Sequence, residues 1–283
     1  MKIIECPRDA MQGIDKFIPT SAKIKYINQL LKVGFDTIDF GSFVSPKAIP
    51  QMKDTAEVVN GLDLSGTTSR LLAIVANTRG AQEASSFQSI TYLGFPMSIS
   101  ETFQVRNTNK TIAVALNTLN EIKNICIKAD KKLVTYISMG FGNPYGDPYA
   151  PELVNKFVDI LLTLGSDVIS LADTIGISTP KAIHQLFTSL TSAYPEAELG
   201  IHLHSTPQTR YEKIEAAYNA GCKRIDGALK GFGGCPMAND ELVGNLPTED
   251  ILSFVQLKQG KSLVNDIELR KALAIAAEVF SPD

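Results

Sequence analysis

The sequence predicts an α/β chain folded as a (β/α)8 barrel of the TIM type, with one additional helix at its C-terminal end. Three observations predict it: eight short apolar runs, amphipathic stretches between them, and a helix-to-strand joint that recurs along the chain. The candidate strands are about 2–6, 37–41, 70–76, 89–95, 132–139, 167–173, 198–204 and 224–229. Most are apolar along their whole length, as parallel strands covered on both faces should be. Between them, Ile24, Ile27, Leu30 and Leu31 form one stripe over 21–33, and Val154, Phe157, Val158, Leu161 and Leu162 form another over 152–164. A last helix is expected over 265–280, packed on the outside or forming the contact of a homodimer.

The joint reads Gly34-Phe-Asp-Thr-Ile-Asp39, Gly165-Ser-Asp-Val-Ile-Ser170 and Gly221-Cys-Lys-Arg-Ile-Asp226. Each is a helix-ending glycine, a short turn and a strand. Glycine takes the left-handed position after a helix at little cost. Three copies imply repeated βα units, and eight units close a barrel. An open doubly wound sheet is the alternative, but no Gly-x-Gly-x-x-Gly follows the first strand. No linker or low-complexity tract divides residues 1–283, so one catalytic domain is expected.

The bulk composition narrows the function. With 283 residues, 44% of them hydrophobic, the chain can bury a full barrel core. A net charge of −3 gives no field that draws nucleic acid or anionic lipid. No apolar run approaches a membrane span, and Met1-Lys-Ile-Ile-Glu-Cys6 enters a strand at once, so no signal peptide is expected. Cys6, Cys126, Cys222 and Cys235 form no Cys-x-x-Cys pair. A reduced, cytoplasmic protein without a disulfide framework or structural zinc is expected.

Barrels of this kind gather reactive groups at the C-terminal ends of their strands. Polar residues fall there repeatedly: Pro7-Arg8-Asp9 at the end of strand one, Asp39 on strand two, Tyr136 and Ser138 on strand five, Asp173-Thr174 after strand six. His202 and His204, two of only three histidines, lie at i and i+2 on strand seven and so share one face. A hydrogen-bonded core pair is one reading. Two imidazoles together at a strand end are read more economically as metal ligands. Asp9 is the natural carboxylate partner, because strand one adjoins strand eight in a closed barrel; Asp39 and Asp173 compete for that role. Oxygen donors without thiolates favour Mg²⁺ or Mn²⁺. Arg8 is either a surface ion-pair partner of Asp9 or a guanidinium placed to stabilise an oxyanion. Cys235 lies in the glycine-rich run Lys230–Pro236, where a proton-transfer or nucleophilic thiol and an anion-binding turn are both open. That run is too poor in lysine for a nucleotide-hydrolysing loop.

Six segments together resemble the metal-dependent aldolase and lyase family that includes 3-hydroxy-3-methylglutaryl-CoA lyase, isopropylmalate synthase and homocitrate synthase. They are Glu5–Gln12, Ser42-Phe-Val-Ser-Pro-Lys47, Ser100-Glu101, Asp173-Thr-Ile-Gly176, His202-Leu-His204, and Gly231-Phe-Gly-Gly-Cys-Pro236 with Gly244-Asn245. The second and last point to the lyase branch. The resemblance implies Asp9, His202, His204 and Asn245 as metal ligands, Arg8 as catalytic arginine and Cys235 as loop cysteine. It places Gln12, Asp39, Tyr136, Ser138, Asp173 and Thr174 in the substrate pocket. Asp39 stands where the lyases carry a glutamate, Ser205 replaces an aspartate after the second histidine, and the Cys235–Asn245 segment is one residue longer. The implied reaction is retro-Claisen cleavage of a 3-hydroxyacyl-CoA thioester, giving acetyl-CoA and acetoacetate for the family's usual substrate, with Asp9 or His202 as general base. A synthase or aldolase of the same family is the rival enzyme, though such synthases often carry further C-terminal domains. A catalytically silent acyl-CoA-binding barrel is the non-enzymatic rival.

Overall fold

The structure, a computed structural model, describes residues 1–234 and 243–280. Eight parallel strands close a barrel in sequence order: β1 (Lys2–Glu5), β2 (Thr37–Ser42), β3 (Arg70–Ile74), β4 (Ile90–Ser98), β5 (Lys132–Ser138), β6 (Val168–Asp173), β7 (Leu199–Leu203) and β8 (Arg224–Gly227). The first strand pairs with both β2 and β8, which closes the ring. Every predicted strand is present.

Helices fill the connections. After β1 come α1 (Pro7–Gln12) and α2 (Thr20–Val33); α3 (Thr55–Asn60) follows β2 and α4 (Thr78–Ser85) follows β3. Next are α5 (Glu101–Thr108) and α6 (Ile112–Lys128) after β4, and α7 (Pro151–Thr163) after β5. Then α8 (Pro180–Ala193) follows β6, α9 (Arg210–Asn219) follows β7, and α10 (Thr248–Gln259) and α11 (Asp266–Val279) come after β8. The additional C-terminal helix, α11, packs against α2. The Asn265 amide donates to Val33 O at 2.9 Å, and Phe280 sets its ring edge against Tyr26. Among the described residues no helix is long and apolar enough to cross a membrane.

Several strand ends differ from expectation by one to three residues, and two of them bear on the site. The first strand stops at Glu5, and Pro7-Arg8-Asp9 is the start of α1 rather than the strand's end. Proline at the first helical turn has no orphan N–H to satisfy, so Pro7 opens a helix as readily as it ends a strand. The fourth strand, expected over 89–95, runs on through Pro96 to Ser98. Gly94 is there for space: a Cβ would sit 2.6 Å from Ile74 Cδ1 inside the barrel.

The three joint glycines behave alike, with φ of +87° at Gly34, +86° at Gly165 and +83° at Gly221. The left-handed step lets each helix end and its strand begin within a few residues. Because register repeats with the joint, the sixth residue of each copy, Asp39, Ser170 or Asp226, is fully buried on its strand. Inside the barrel, Leu72, Ile74, Tyr92, Val134, Tyr136 and Val168 form one buried cluster. A second, larger core lies between the strands and the surrounding helices.

Candidate active site and metal centre

Helix α1 rests over the mouth of the barrel and carries three of the predicted residues on one turn. Arg8 and Gln12 are four apart, so they lie on one helical face. The Arg8 guanidinium donates from Nη1 to Asp9 Oδ1 and to Gln12 Oε1, both at 2.9 Å. Its Nε and Nη2 donate to Asp39 Oδ2 at 3.1 and 2.5 Å. Gln12 Nε2 closes the ring on Asp9 Oδ1 at 2.9 Å. The Arg8–Asp9 pair is therefore not a surface ion pair: the side chains are 11% and 8% exposed. Burial works against the charge on Arg8, but Asp39 and Asp9 more than restore it, so the guanidinium stays charged. Burial drives the Asp39 carboxyl up to about 6 despite Arg8 beside it.

His202 lies on β7, and His204 follows it in an isolated antiparallel bridge to Asn245. One ligand atom each from Asp9, His202 and His204 lie within 4.8 Å of one another, and all three residues are buried. Each imidazole has Nδ1 engaged from outside. His202 Nδ1 meets Asp226 Oδ2 at 3.2 Å, and His204 Nδ1 meets Val243 O at 2.7 Å. That leaves Nε2 of each ring for the cluster. Metal-binding histidines are typically oriented this way, through the nitrogen that does not bind the ion.

Asn245 supplies the test of fit. Its Nδ2 donates to Asp9 Oδ2 at 2.6 Å and to Phe232 O at 2.9 Å. Its Oδ1 is buried with no hydrogen-bond partner among the described residues. A buried, unpaired amide oxygen costs about 1–3 kcal/mol, so its persistence beside a carboxylate and two imidazoles suits coordination of a cation. Gly233 makes the approach possible. Its φ is +103°, and a Cβ there would lie 2.6 Å from Asn245 Nδ2 and 2.8 Å from Asp9 O. Burial pushes the Asp9 carboxyl up, but the charges of Arg8, His202 and His204 and the Asn245 bond outweigh it and hold the group at about 2. Burial lowers His202, yet its bond to Asp226 leaves it above its ordinary value; His204, buried beside His202, falls below.

The other predicted residues are distributed around this centre. Tyr136 points its ring edge at His202, with centroids 6.0 Å apart. Ser138 ends β5 on the same inward face as Tyr136. Thr174 Oγ1 accepts from the Met139 amide at 2.8 Å. Asp173 is held from behind by the Ser178 amide and hydroxyl and by Lys213 Nζ at 2.8 Å. Cys235, like most of the segment between it and Asn245, lies outside the described residues.

Sequence reasoning missed Asp226 and Lys213. Asp226 ends the third copy of the joint, in the position Asp39 holds in the first, and that correspondence was its signal. Lys213 carried none: it lies on α9 among other charged residues, yet its Nζ is buried and donates to Asp173, Gly176 O and His204 O at 2.8–2.9 Å.

The HMGL-like family model matches residues 2–279. The chain belongs to the HMGL-like family. Among its curated relatives is the hydroxymethylglutaryl-CoA lyase YngG of Bacillus subtilis, 34% identical over 95% of this chain and 88% of that protein. The mitochondrial hydroxymethylglutaryl-CoA lyase of Bos taurus is 32% identical over 98% of this chain and 84% of its own. Among solved structures, the HMG-CoA lyase of Acinetobacter baumannii in complex with coenzyme A and 3-methylmalate superposes with a TM-score of 0.92. It is 30% identical and covers 100% of this chain and 92% of its own.

Proposed function

We propose that this HMGL-like protein cleaves 3-hydroxy-3-methylglutaryl-CoA, or a close 3-hydroxyacyl-CoA, to acetyl-CoA and acetoacetate or a related keto acid. The observation that carries the reading is the Asp9–His202–His204 cluster with the unpaired Asn245 oxygen beside it, set against Arg8 at the barrel mouth. The lyase structure holding coenzyme A supports an acyl-CoA substrate.

Asp9, His202, His204 and Asn245 would hold a divalent ion, Mg²⁺ or Mn²⁺ by the preponderance of oxygen and imidazole donors. Such an ion acidifies a hydroxyl and pairs with substrate oxygens. The chain's own residues do the rest. Asp9 or His202 accepts the 3-hydroxyl proton. As the C3 carbonyl forms, the bond between C2 and C3 breaks and its electron pair passes into the thioester enolate. Arg8 has four of its five N–H groups committed to Asp39, Asp9 and Gln12 among the described residues. The remaining Nη2 hydrogen is the donor for the enolate oxygen, on a side chain only 11% exposed. Asp39 and Gln12 fix the plane of the guanidinium. Cys235 donates the proton that converts the enolate carbon to the methyl of acetyl-CoA. Tyr136, Ser138, Asp173 and Thr174 shape the acyl pocket.

The direct test is release of acetyl-CoA from 3-hydroxyacyl-CoA esters by chelator-treated protein, with and without added Mg²⁺ or Mn²⁺. Metal-dependent release from the hydroxymethylglutaryl ester is expected. Metal-independent turnover, or none with any ester, would overturn the reading.

A further inference from the structure

Deeper in the barrel than the Asp9 cluster lies a second set of ligand atoms. Cys6, His202 and Asp226 each contribute one, all within 4.8 Å of one another and all from buried residues. The set is not explained by packing. Asp226 is 1% exposed, and its Oδ1 has no hydrogen-bond partner among the described residues, while Oδ2 meets His202 Nδ1 at 3.2 Å. The Cys6 thiol is 0% exposed, and its one recorded hydrogen bond is a long 3.9 Å contact to Ile4 O. A sulfur, an imidazole nitrogen and a carboxylate thus converge where one acceptor is already orphaned.

Ligand chemistry separates the two sets. The upper set is oxygen and nitrogen, suited to a hard ion. The lower set includes a cysteine sulfur, a ligand that selects borderline-soft ions such as Zn²⁺, Co²⁺ or Cd²⁺. Metal–sulfur bonds of about 2.3 Å and metal–nitrogen and metal–oxygen bonds of about 2.0–2.2 Å place tetrahedral ligands roughly 3.3–3.7 Å apart.

We propose that Cys6, His202 Nδ1 and Asp226 form an inhibitory site for a thiophilic divalent cation, mutually exclusive with metal binding at Asp9, His202 and His204. Binding displaces the thiol proton to solvent, and the thiolate and carboxylate balance the charge of the ion. It also takes Nδ1 from its Asp226 bond. A neutral imidazole carries one ring proton, so with Nδ1 coordinated that proton resides on Nε2. The nitrogen left for the upper set then becomes a donor and cannot coordinate there. His202 is the shared element, and an ion on one side disables the other.

The test uses the full chain in a Cys235→Ala background, stripped of metal, so that the loop thiol cannot contribute. Addition of Co²⁺ should give the intense near-ultraviolet absorption of a thiolate–cobalt bond, and Zn²⁺ should bleach it. Cys6→Ser and Cys6→Ala should each abolish the band. Absence of the band, or its survival in both variants, overturns the site; this readout needs no lyase activity and stands apart from the proposed reaction. In a second arm, the Cys235-containing protein is assayed with Mn²⁺ and increasing Zn²⁺, each variant scaled to its own zinc-free rate. Zinc should compete with Mn²⁺, and Cys6→Ser should raise the half-inhibitory zinc concentration at least tenfold. Equal inhibition of both proteins overturns the inhibitory role.

Discussion

The two walls of the barrel interior differ in kind. On β3 to β6 the inward residues Leu72, Ile74, Tyr92, Val134, Tyr136 and Val168 form a continuous apolar cluster, with Ser138 and Ser170 on the same face. On β2, β7 and β8 and the turn after β1, buried Cys6, Asp39, His202, Arg224 and Asp226 gather instead. The apolar wall makes charge expensive across the cavity, which is why burial is the largest influence on Asp39, His202 and His204. The polar wall answers with paired groups, Arg8 with Asp39 and His202 with Asp226. Among the described residues it also holds the unpaired buried atoms Asp226 Oδ1, Asn245 Oδ1 and Arg224 Nε, where the apolar wall has Ser170 Oγ. One wall supplies dielectric and packing; the other supplies chemistry that packing alone leaves incomplete.

If that division holds, substitutions on the two walls should separate activity from stability. The largest effect is expected from Arg8→Gln, which removes the proposed oxyanion donor while keeping a polar side chain. It should lower kcat by roughly 10²-fold or more with little change in KM. A rise in KM alone would make Arg8 a substrate anchor. Asp226→Asn comes next. It keeps the shape but weakens the acceptor that orients His202, and should lower metal affinity about 10–100-fold by titration calorimetry. An unchanged affinity would remove Asp226 from the support of the metal centre. On the other wall, Leu72→Ala opens a cavity at a fully buried position. It should cost about 2–5 kcal/mol in denaturant unfolding, with metal affinity unaltered. Loss of metal binding there would mean the walls are coupled after all.

What the sequence disclosed follows the same line. The apolar wall and the outer core were legible because parallel strands write continuous apolar runs, and the three glycine joints fixed where they begin. The Asp9–His202–His204 cluster was legible in part, because two histidines at i and i+2 must share a face on any strand. Pairings between strands were not. That Asp39 holds Arg8 and Asp226 holds His202 depends on register across β2 and across β7–β8, and no local pattern encodes register between distant segments. The boundary at Pro7 failed for a different reason, since proline opens helices and closes strands with equal ease.

Glu5 sharpens the comparison at its margin, with the smallest effect on activity. It is a fully buried carboxyl on β1 that accepts from the Leu229 amide at 2.9 Å and from Thr248 Oγ1 at 2.5 Å. Those donors flank the glycine-rich segment on both sides, so one side chain ties together the two ends of the segment that carries Asn245. Burial raises this carboxyl from 4.5 to about 8, against the lowering effect of its two hydrogen bonds, with Glu249 adding to the rise. The native state therefore keeps a proton that the unfolded chain has released above pH 4.5. Where the native state binds more protons, stability falls as pH rises. The stabilisation from the neutral carboxyl is complete below the unfolded value and is lost progressively up to about pH 8. Glu5→Gln preserves the neutral shape and cannot ionise, so that slope should vanish. At pH 5 the two proteins should melt within a few degrees of each other, and by pH 8 the variant should be the more stable, with kcat changed little. A melting difference that stays constant between pH 5 and 8 would mean that Glu5 is ionised in the folded protein, making it an isolated charge on the stem of the active-site loop.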